Sequence, residues 1–315
     1  MRTRRLGRSD LEVSVLGLGC NQIGRRVDRA GAAALLDACE EVGVTFLDTA
    51  DIYGSVGGES EAILGAALRG RRDRFVVATK FGMPLRGVEG VPDVPRGSRE
   101  YIRWAVDGSL RRLGVERIDL YQYHEPDGVT PLVETLGALD ELVREGKVRW
   151  IGCSNFTAEL VDESARIAAE EGVAGFVSLQ NEYSLLSRAI EAEVVPACER
   201  HGLGVIPYFP LARGLLTGKY RRDEPPPADS RLADRERTAD DATWDVIEAL
   251  ERYARERGRS LLDVAIGGLA ARPAVATVIA GATRPEQIRA NAAAADWEPT
   301  ADDLAALDAI LPPAR

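Results

Sequence analysis

The chain has no surplus of positive charge. Its 40 Lys and Arg stand against 50 Asp and Glu, a formal net charge of −10. That argues against a polyanion-binding surface, so no nucleic acid is expected as a partner, and an anionic substrate would need a local basic site. No apolar run reaches membrane-spanning length, so no membrane partner is expected either. The basic start Met1-Arg2-Thr3-Arg4-Arg5 is not followed by an apolar stretch of signal-peptide type, and the expected location is cytoplasmic. Cys20, Cys39, Cys153 and Cys198 are dispersed, with no close pair at metal-ligand spacing. They read as buried, reduced thiols, and no metal is expected. No third glycine completes Gly17-Leu18-Gly19-Cys20-Asn21-Gln22 into a G-x-G-x-x-G turn, which counts against an open, doubly wound nucleotide-binding sheet. Internal repeats and linkers are also missing, so residues 1–315 read as a single domain.

What is present is a rhythm. A turn signal, Gly7-Arg8-Ser9-Asp10, sits between short apolar flanks and predicts a hairpin over Leu6 to Val13. Eight strand-like runs follow: Val15–Leu18, Val44–Asp48, Phe75–Lys80, Ile118–Tyr123, Val148–Gly152, Phe176–Gln180, Leu203–Pro207 and Thr277–Ala280. Helical patterns separate them, over Arg29–Val42, Ser60–Leu68, Arg99–Leu113, Pro131–Glu145, Ala158–Ala169, Ala192–Arg200, Asp241–Arg257, Leu261–Ala271 and Pro285–Ala295. Thr130 is the expected N-cap of the fourth, with Pro131 at its first position. Eight strand–helix units over ~250 to 300 residues predict an α/β fold of the (β/α)₈ TIM-barrel kind. The tail Leu304 to Ile310 reads as an extra C-terminal helix stopped by Pro312-Pro313. Two long connections, Met83 to Ser98 and Arg221 to Asp240, fall after strands and are expected to act as lids over the C-terminal face.

That face builds the active site in such a barrel. Four polar residues fall at or just past strand ends: Asp48, Tyr53, Lys80 and His124. Singly each has an ordinary reading, as a loop cap, a half-buried packing ring, a solvated strand end and a core histidine. Together they bring acid, phenol, amine and imidazole to one rim, a set suited to giving a proton to a carbonyl oxygen. A free Tyr is a poor acid at neutral pH, with a pKa of about 10. A cation within ~4–6 Å lowers that value, and Lys80, held by Asp48, is the candidate cation. His124 would aim the carbonyl. None of these groups carries a hydride, so a reduction needs a cofactor.

These residues carry a resemblance. Phe46 to Gly54, Ala78-Thr79-Lys80, Asp119 to His124, Gly146 to Phe156, Gln180-Asn181-Glu182-Tyr183, Pro210 to Lys219 and Gly281 to Asn291 occur in the order of the aldo-keto reductases. The chain resembles that NADPH-dependent (β/α)₈ family over nearly its whole length. The resemblance implies a catalytic tetrad of Asp48, Tyr53, Lys80 and His124, with Tyr53 the proton donor. It implies that Ser154, Asn155 and Gln180 hydrogen-bond the nicotinamide carboxamide and that Tyr208 stacks beneath the ring. Pro210, Leu211, Gly214 and Leu215 match the loop that wraps the pyrophosphate. Gly281, Arg284, Gln287 and Asn291 fall where the family grips the adenosine end, with Arg284 toward the 2′-phosphate. Phe209, Thr283 and Ala290 depart from common choices there, and the short tail after Ile310 suggests an open pocket.

The reading is thus an NADP(H)-dependent oxidoreductase reducing an aldehyde or ketone, its partner a small-molecule carbonyl substrate. Ile23, Tyr53, Phe81 and Trp104 are the expected pocket walls. Two rivals stand beside it. One is an NADPH-binding sensor with little turnover, and the other is an unrelated barrel acting on phosphorylated sugars.

Overall fold

The computed structural model describes residues 1–228, 230, 232–233 and 238–311. Within them, β1 (Thr3–Arg5) and β2 (Glu12–Ser14) pair antiparallel as the expected hairpin. Eight parallel strands follow: β3 (Leu16–Gly19), β4 (Phe46–Asp48), β5 (Val76–Phe81), β6 (Ile118–Tyr123), β7 (Val148–Ser154), β8 (Ser178–Gln180), β9 (Gly204–Val205) and β10 (Val278–Gly281). They are hydrogen-bonded in the order β10-β3-β4-β5-β6-β7-β8-β9. A parallel bridge between Val205 and Val275, with hydrogen bonds from Val205 N to Ala274 O and from Ala276 N to Val205 O, brings β9 back to the segment entering β10. The eight parallel strands and their helices make the (β/α)₈ fold.

The helices are α1 (Arg29–Val42), α2 (Glu59–Ala67), α3 (Arg99–Leu113), α4 (Leu132–Arg144), α5 (Ala158–Glu171), α6 (Val194–His201), α7 (Asp241–Glu256), α8 (Leu261–Ala270), α9 (Pro285–Ala295) and α10 (Ala301–Ile310). Their ends follow local chemistry. Asp28, Ser98 and Thr157 accept from the first-turn N–H groups of α1, α3 and α5, and Gly43, Gly114 and Gly172 close the same helices in the left-handed region. The expected Thr130 cap on α4 is corrected. Pro131 takes the cap position with extended ψ, which starts the helix one residue later, and Thr130 Oγ1 donates to Asp127 Oδ2 instead. The extra C-terminal helix is longer than expected, with Thr300 and Asp303 forming a capping box. The expected Pro312-Pro313 stop lies outside the described residues, as do parts of the Arg221 to Asp240 connection.

Period-two alternation sorts the strand residues. Phe46, Ala78 and Leu120 face the barrel interior, while Leu47, Val77 and Tyr121 face the helices. The hairpin plugs the interior from below through Leu6, Leu11 and Val13. Gly7 permits that fit, since a Cβ there would lie 2.2 Å from Val177 O. Burying each such Leu or Phe contributes about 1.5–3 kcal/mol. The same alternation carries on to the strand tops and sets what faces the open end. All four cysteines are buried and free. Among the described residues, no helix is long and apolar enough to cross a membrane.

Candidate active site

Asp48 ends β4 two residues after Phe46, so it faces inward. Lys80 does so on β5, Gln122 on β6 and Gln180 on β8. The four meet. Lys80 Nζ donates to Asp48 Oδ2 at 2.6 Å, to Thr49 O at 3.0 Å and to Tyr53 Oη at 3.3 Å. Asp48 Oδ1 accepts from Gln122 Nε2 at 3.0 Å and Gln180 Nε2 at 2.8 Å. Both Lys80 and Asp48 are buried, so each charge is balanced by the other and by directed hydrogen bonds.

Burial by itself pulls the Lys80 ammonium down, but Asp48 and Tyr53 more than offset it and the net displacement is upward. Lys80 therefore stays charged. Tyr53 departs from expectation. Lys80 does favour the phenolate, but burial works against it and prevails, and Asp48 adds to the rise, so the phenol is pushed above its usual value. It holds its proton at neutral pH. His124 packs edge-on against the Tyr53 ring, centroid to centroid 5.9 Å, and its backbone N–H is fixed to Phe81 O. Burial first, and Lys80 second, hold the imidazole well below its ordinary pKa, so it is neutral. Its buried Nδ1 has no hydrogen-bond partner among the described residues.

A cavity of about 540 Å³ opens above this group. Asp48, Tyr53 and His124 line its inner end, and it runs past Asn155, Gln180 and Tyr208 to Gln287 and Asn291. Asn155 sits at φ 58°, its Nδ2 on His124 O and its Oδ1 accepting from Tyr208 Oη at 2.9 Å. Gln180 spends its Nε2 on Asp48 and Gln122, leaving its carbonyl for a ligand. Phe209, Ala212, Arg213 and Gly214 all take positive φ in the loop along one wall. Such strain in non-glycine residues gathers where a loop is shaped for a ligand. Gln287 Oε1 clamps the far wall, accepting from Thr283 N and Arg284 N.

Of the residues foreseen for the cofactor, Asn155, Gln180, Tyr208, Pro210, Leu211, Gly214, Gly281, Gln287 and Asn291 lie on the cavity wall. Ser154, Leu215 and Arg284 do not. Ser154 is buried, with its hydroxyl donating to Gln180 O. Three expected pocket walls are corrected. Ile23 is buried in the layer between strands and helices, Phe81 is stacked between Tyr121 and Tyr123, and Trp104 packs on Tyr101. Ile52, Met83, Gln22, Arg25 and Arg26 take those places. The outward-facing turn of strand alternation hides Phe81, and a sequence reader counting two residues back from Lys80 to Ala78 had that signal.

A family model described as the aldo/keto reductase family matches residues 15–312. The chain is 37% identical over 310 residues to a probable voltage-gated potassium channel subunit beta of Oryza sativa subsp. japonica, covering 95% of this chain and 92% of that protein. It is 36% identical over 320 residues to the uncharacterized oxidoreductase YrpG of Bacillus subtilis (strain 168), covering 98% and 95%. It is 33% identical over 295 residues to probable aldo-keto reductase 1 of Glycine max, covering 91% and 82%.

Proposed function

Because this chain belongs to the aldo/keto reductase family, we propose that it is an NADP(H)-dependent oxidoreductase that reduces an aldehyde or ketone to its alcohol. One observation carries the reading: a buried ammonium, Lys80, touches both a carboxylate, Asp48, and a phenol, Tyr53, at the inner end of the cavity.

The wall fits a nicotinamide dinucleotide. Asn155 and the free carbonyl of Gln180 offer the amide complement of a carboxamide, and Tyr208 offers a ring face beside them. Arg213 and Lys219 stand along the 209–219 loop for the phosphates. Gly281, Gln287 and Asn291, with Arg284, whose N–H donates to Gln287 Oε1, would hold the adenosine end. When bound, NADPH supplies the hydride.

The chain supplies the proton. Tyr53 keeps it at neutral pH and releases it to the carbonyl oxygen as negative charge develops there. The phenolate left behind faces Lys80 Nζ, an ammonium already fixed by Asp48 and Thr49 O, so that charge is stabilised without reorganisation. Neutral His124 offers an N–H to the same oxygen and does not compete as an acid.

Tyr53→Phe tests this. Turnover of a model aldehyde should fall ~10²–10⁴-fold, the usual worth of a positioned acid, while NADPH binding followed by fluorescence titration stays close to wild type. Undiminished turnover removes Tyr53 from its role. The name of the rice relative supports a second reading, an NADPH-holding regulatory subunit with little turnover. Tight NADPH binding with no activity on a panel of aldehydes would favour it.

A further inference from the structure

Four cationic side chains line the cavity: Arg25, Arg26, Arg213 and Lys219. The only acid on the wall among the described residues is Asp48, already engaged by Lys80. Arg213 and Lys219 belong to the loop read above as the phosphate side. Arg25 and Arg26 come from a different loop, the one between β3 and α1, and the reading so far gives them no task.

That loop is tied to the Tyr53 segment. Gln22 O accepts from the backbone N–H of Arg25, Arg26 and Val27, which closes a tight turn. Gly24, at φ 82°, lies so close to Gly54 that a Cβ on it would be 3.0 Å from Gly54 Cα. Ser55 donates to Gly24 O through both its N–H and its hydroxyl. Arg25 Nε donates to Gly54 O at 3.0 Å. One guanidinium is thereby anchored next to the residue that follows Tyr53, on a loop that cannot drift from it.

Neither arginine has a carboxylate partner among the described residues. Elsewhere Arg71 pairs with Asp37, Arg72 with Asp119, Arg112 with Glu61 and Arg289 with Glu41. Glu59 lies beside Gly24, yet its Oε2 is taken by Ser55 N–H. Two unmatched guanidinium groups at the mouth of a cavity, on a chain of net charge −10, form the local basic site that an anionic substrate would need.

We propose that Arg25 and Arg26 select carbonyl substrates that carry an anionic group, a carboxylate or a phosphate, held at the cavity mouth while the carbonyl reaches Tyr53. This rests on the reduction reading above and names its substrate class. The guanidinium fork suits both anions, and because both arginines are solvent-exposed the selection is salt-sensitive.

The test is a ratio of kcat/KM values with NADPH: 4-carboxybenzaldehyde against 4-methylbenzaldehyde, and glyceraldehyde 3-phosphate against glyceraldehyde. The wild-type ratio should favour the anion roughly 10-fold in at least one pair at low salt, as expected of a bridging charge contact worth about 1.4 kcal/mol, and should shrink in 0.5 M salt, a concentration of roughly half the 1 M at which screening reaches ~3 Å. Arg25→Met combined with Arg26→Met should bring the ratio to about one, and Arg25→Lys in a single variant should keep part of it. Which pair responds tells carboxylate from phosphate. A wild-type ratio of one or less in both pairs, or a ratio unchanged in the double variant, overturns the inference. So does a double variant whose main defect is weaker NADPH binding, since the arginines would then serve the cofactor. Should no aldehyde be reduced at all, the reduction reading fails by itself. Calorimetric binding of benzoate against benzyl alcohol then still decides, with benzoate preferred and lost in the double variant if the arginines read anions, and no preference if they do not.

Discussion

Asp48 and Asp51 lie three residues apart in one stretch, both buried, and live in opposite surroundings. Asp48 faces the barrel interior and spends both oxygens on Lys80, Gln122 and Gln180. Asp51 lies just past the strand end with its N–H on Lys80 O, and neither of its carboxyl oxygens has a hydrogen-bond partner among the described residues. Burial first, and the Glu61 charge second, raise its carboxyl well above the ordinary range. Glu61 itself is answered, by Arg112 Nε at 2.7 Å and Thr79 Oγ1 at 2.5 Å. One side of the sheet therefore holds an acid paired with a cation, and the other holds an unpaired acid that keeps its proton more firmly, next to a paired one. Burial alone does not make a carboxylate functional. A fixed cation beside it does.

Three substitutions probe that contrast. Asp48→Asn leaves Lys80 buried without its counter-charge and should cost about 3–5 kcal/mol in urea unfolding, along with most of the turnover. A loss near zero would mean the pair is not the buried ion pair described. Glu61→Gln breaks a hydrogen-bonded contact to a charged group and should cost about 1.5–3 kcal/mol, visible as a lower unfolding midpoint with turnover far less affected than in Asp48→Asn. Equal losses of turnover in the two variants would erase the distinction between the two sides.

Asp51→Asn is the substitution whose sign tells most. A group whose folded pKa is raised contributes stability that is full below the unfolded value, about 3.9, and is lost as pH rises toward the folded one. The amide has no such dependence. Asp51→Asn should thus be neutral or destabilising near pH 4 and gain relative to wild type as pH rises to 8. A difference between the two proteins that does not change with pH would show that Asp51 is ionised in the native state.

Much of this was legible. Phe46-Leu47-Asp48 and Ala78-Thr79-Lys80 are short strand ends, and period two alone puts Asp48 on the face of Phe46 and Lys80 on the face of Ala78. The bounds expected for α1, α3 and α9 match those observed. The loops were harder. Nothing in Gln22-Ile23-Gly24-Arg25-Arg26 tells which side chain enters the cavity, because a loop has no period, and Ile23 was the wrong choice. The net displacement of Tyr53 also escaped, since Lys80 and burial oppose each other and only the packed site weighs one against the other.

The sequence by itself determined the order of strands and helices and the chemical kinds gathered at the strand tops, because these rest on residue spacing along the chain. Tertiary structure alone decided which of two neighbouring acids meets a cation, which way the phenol is displaced, and that two arginines from a turn reach the mouth of the cavity. Each of those depends on distances between segments far apart in the chain and on how much water their packing excludes.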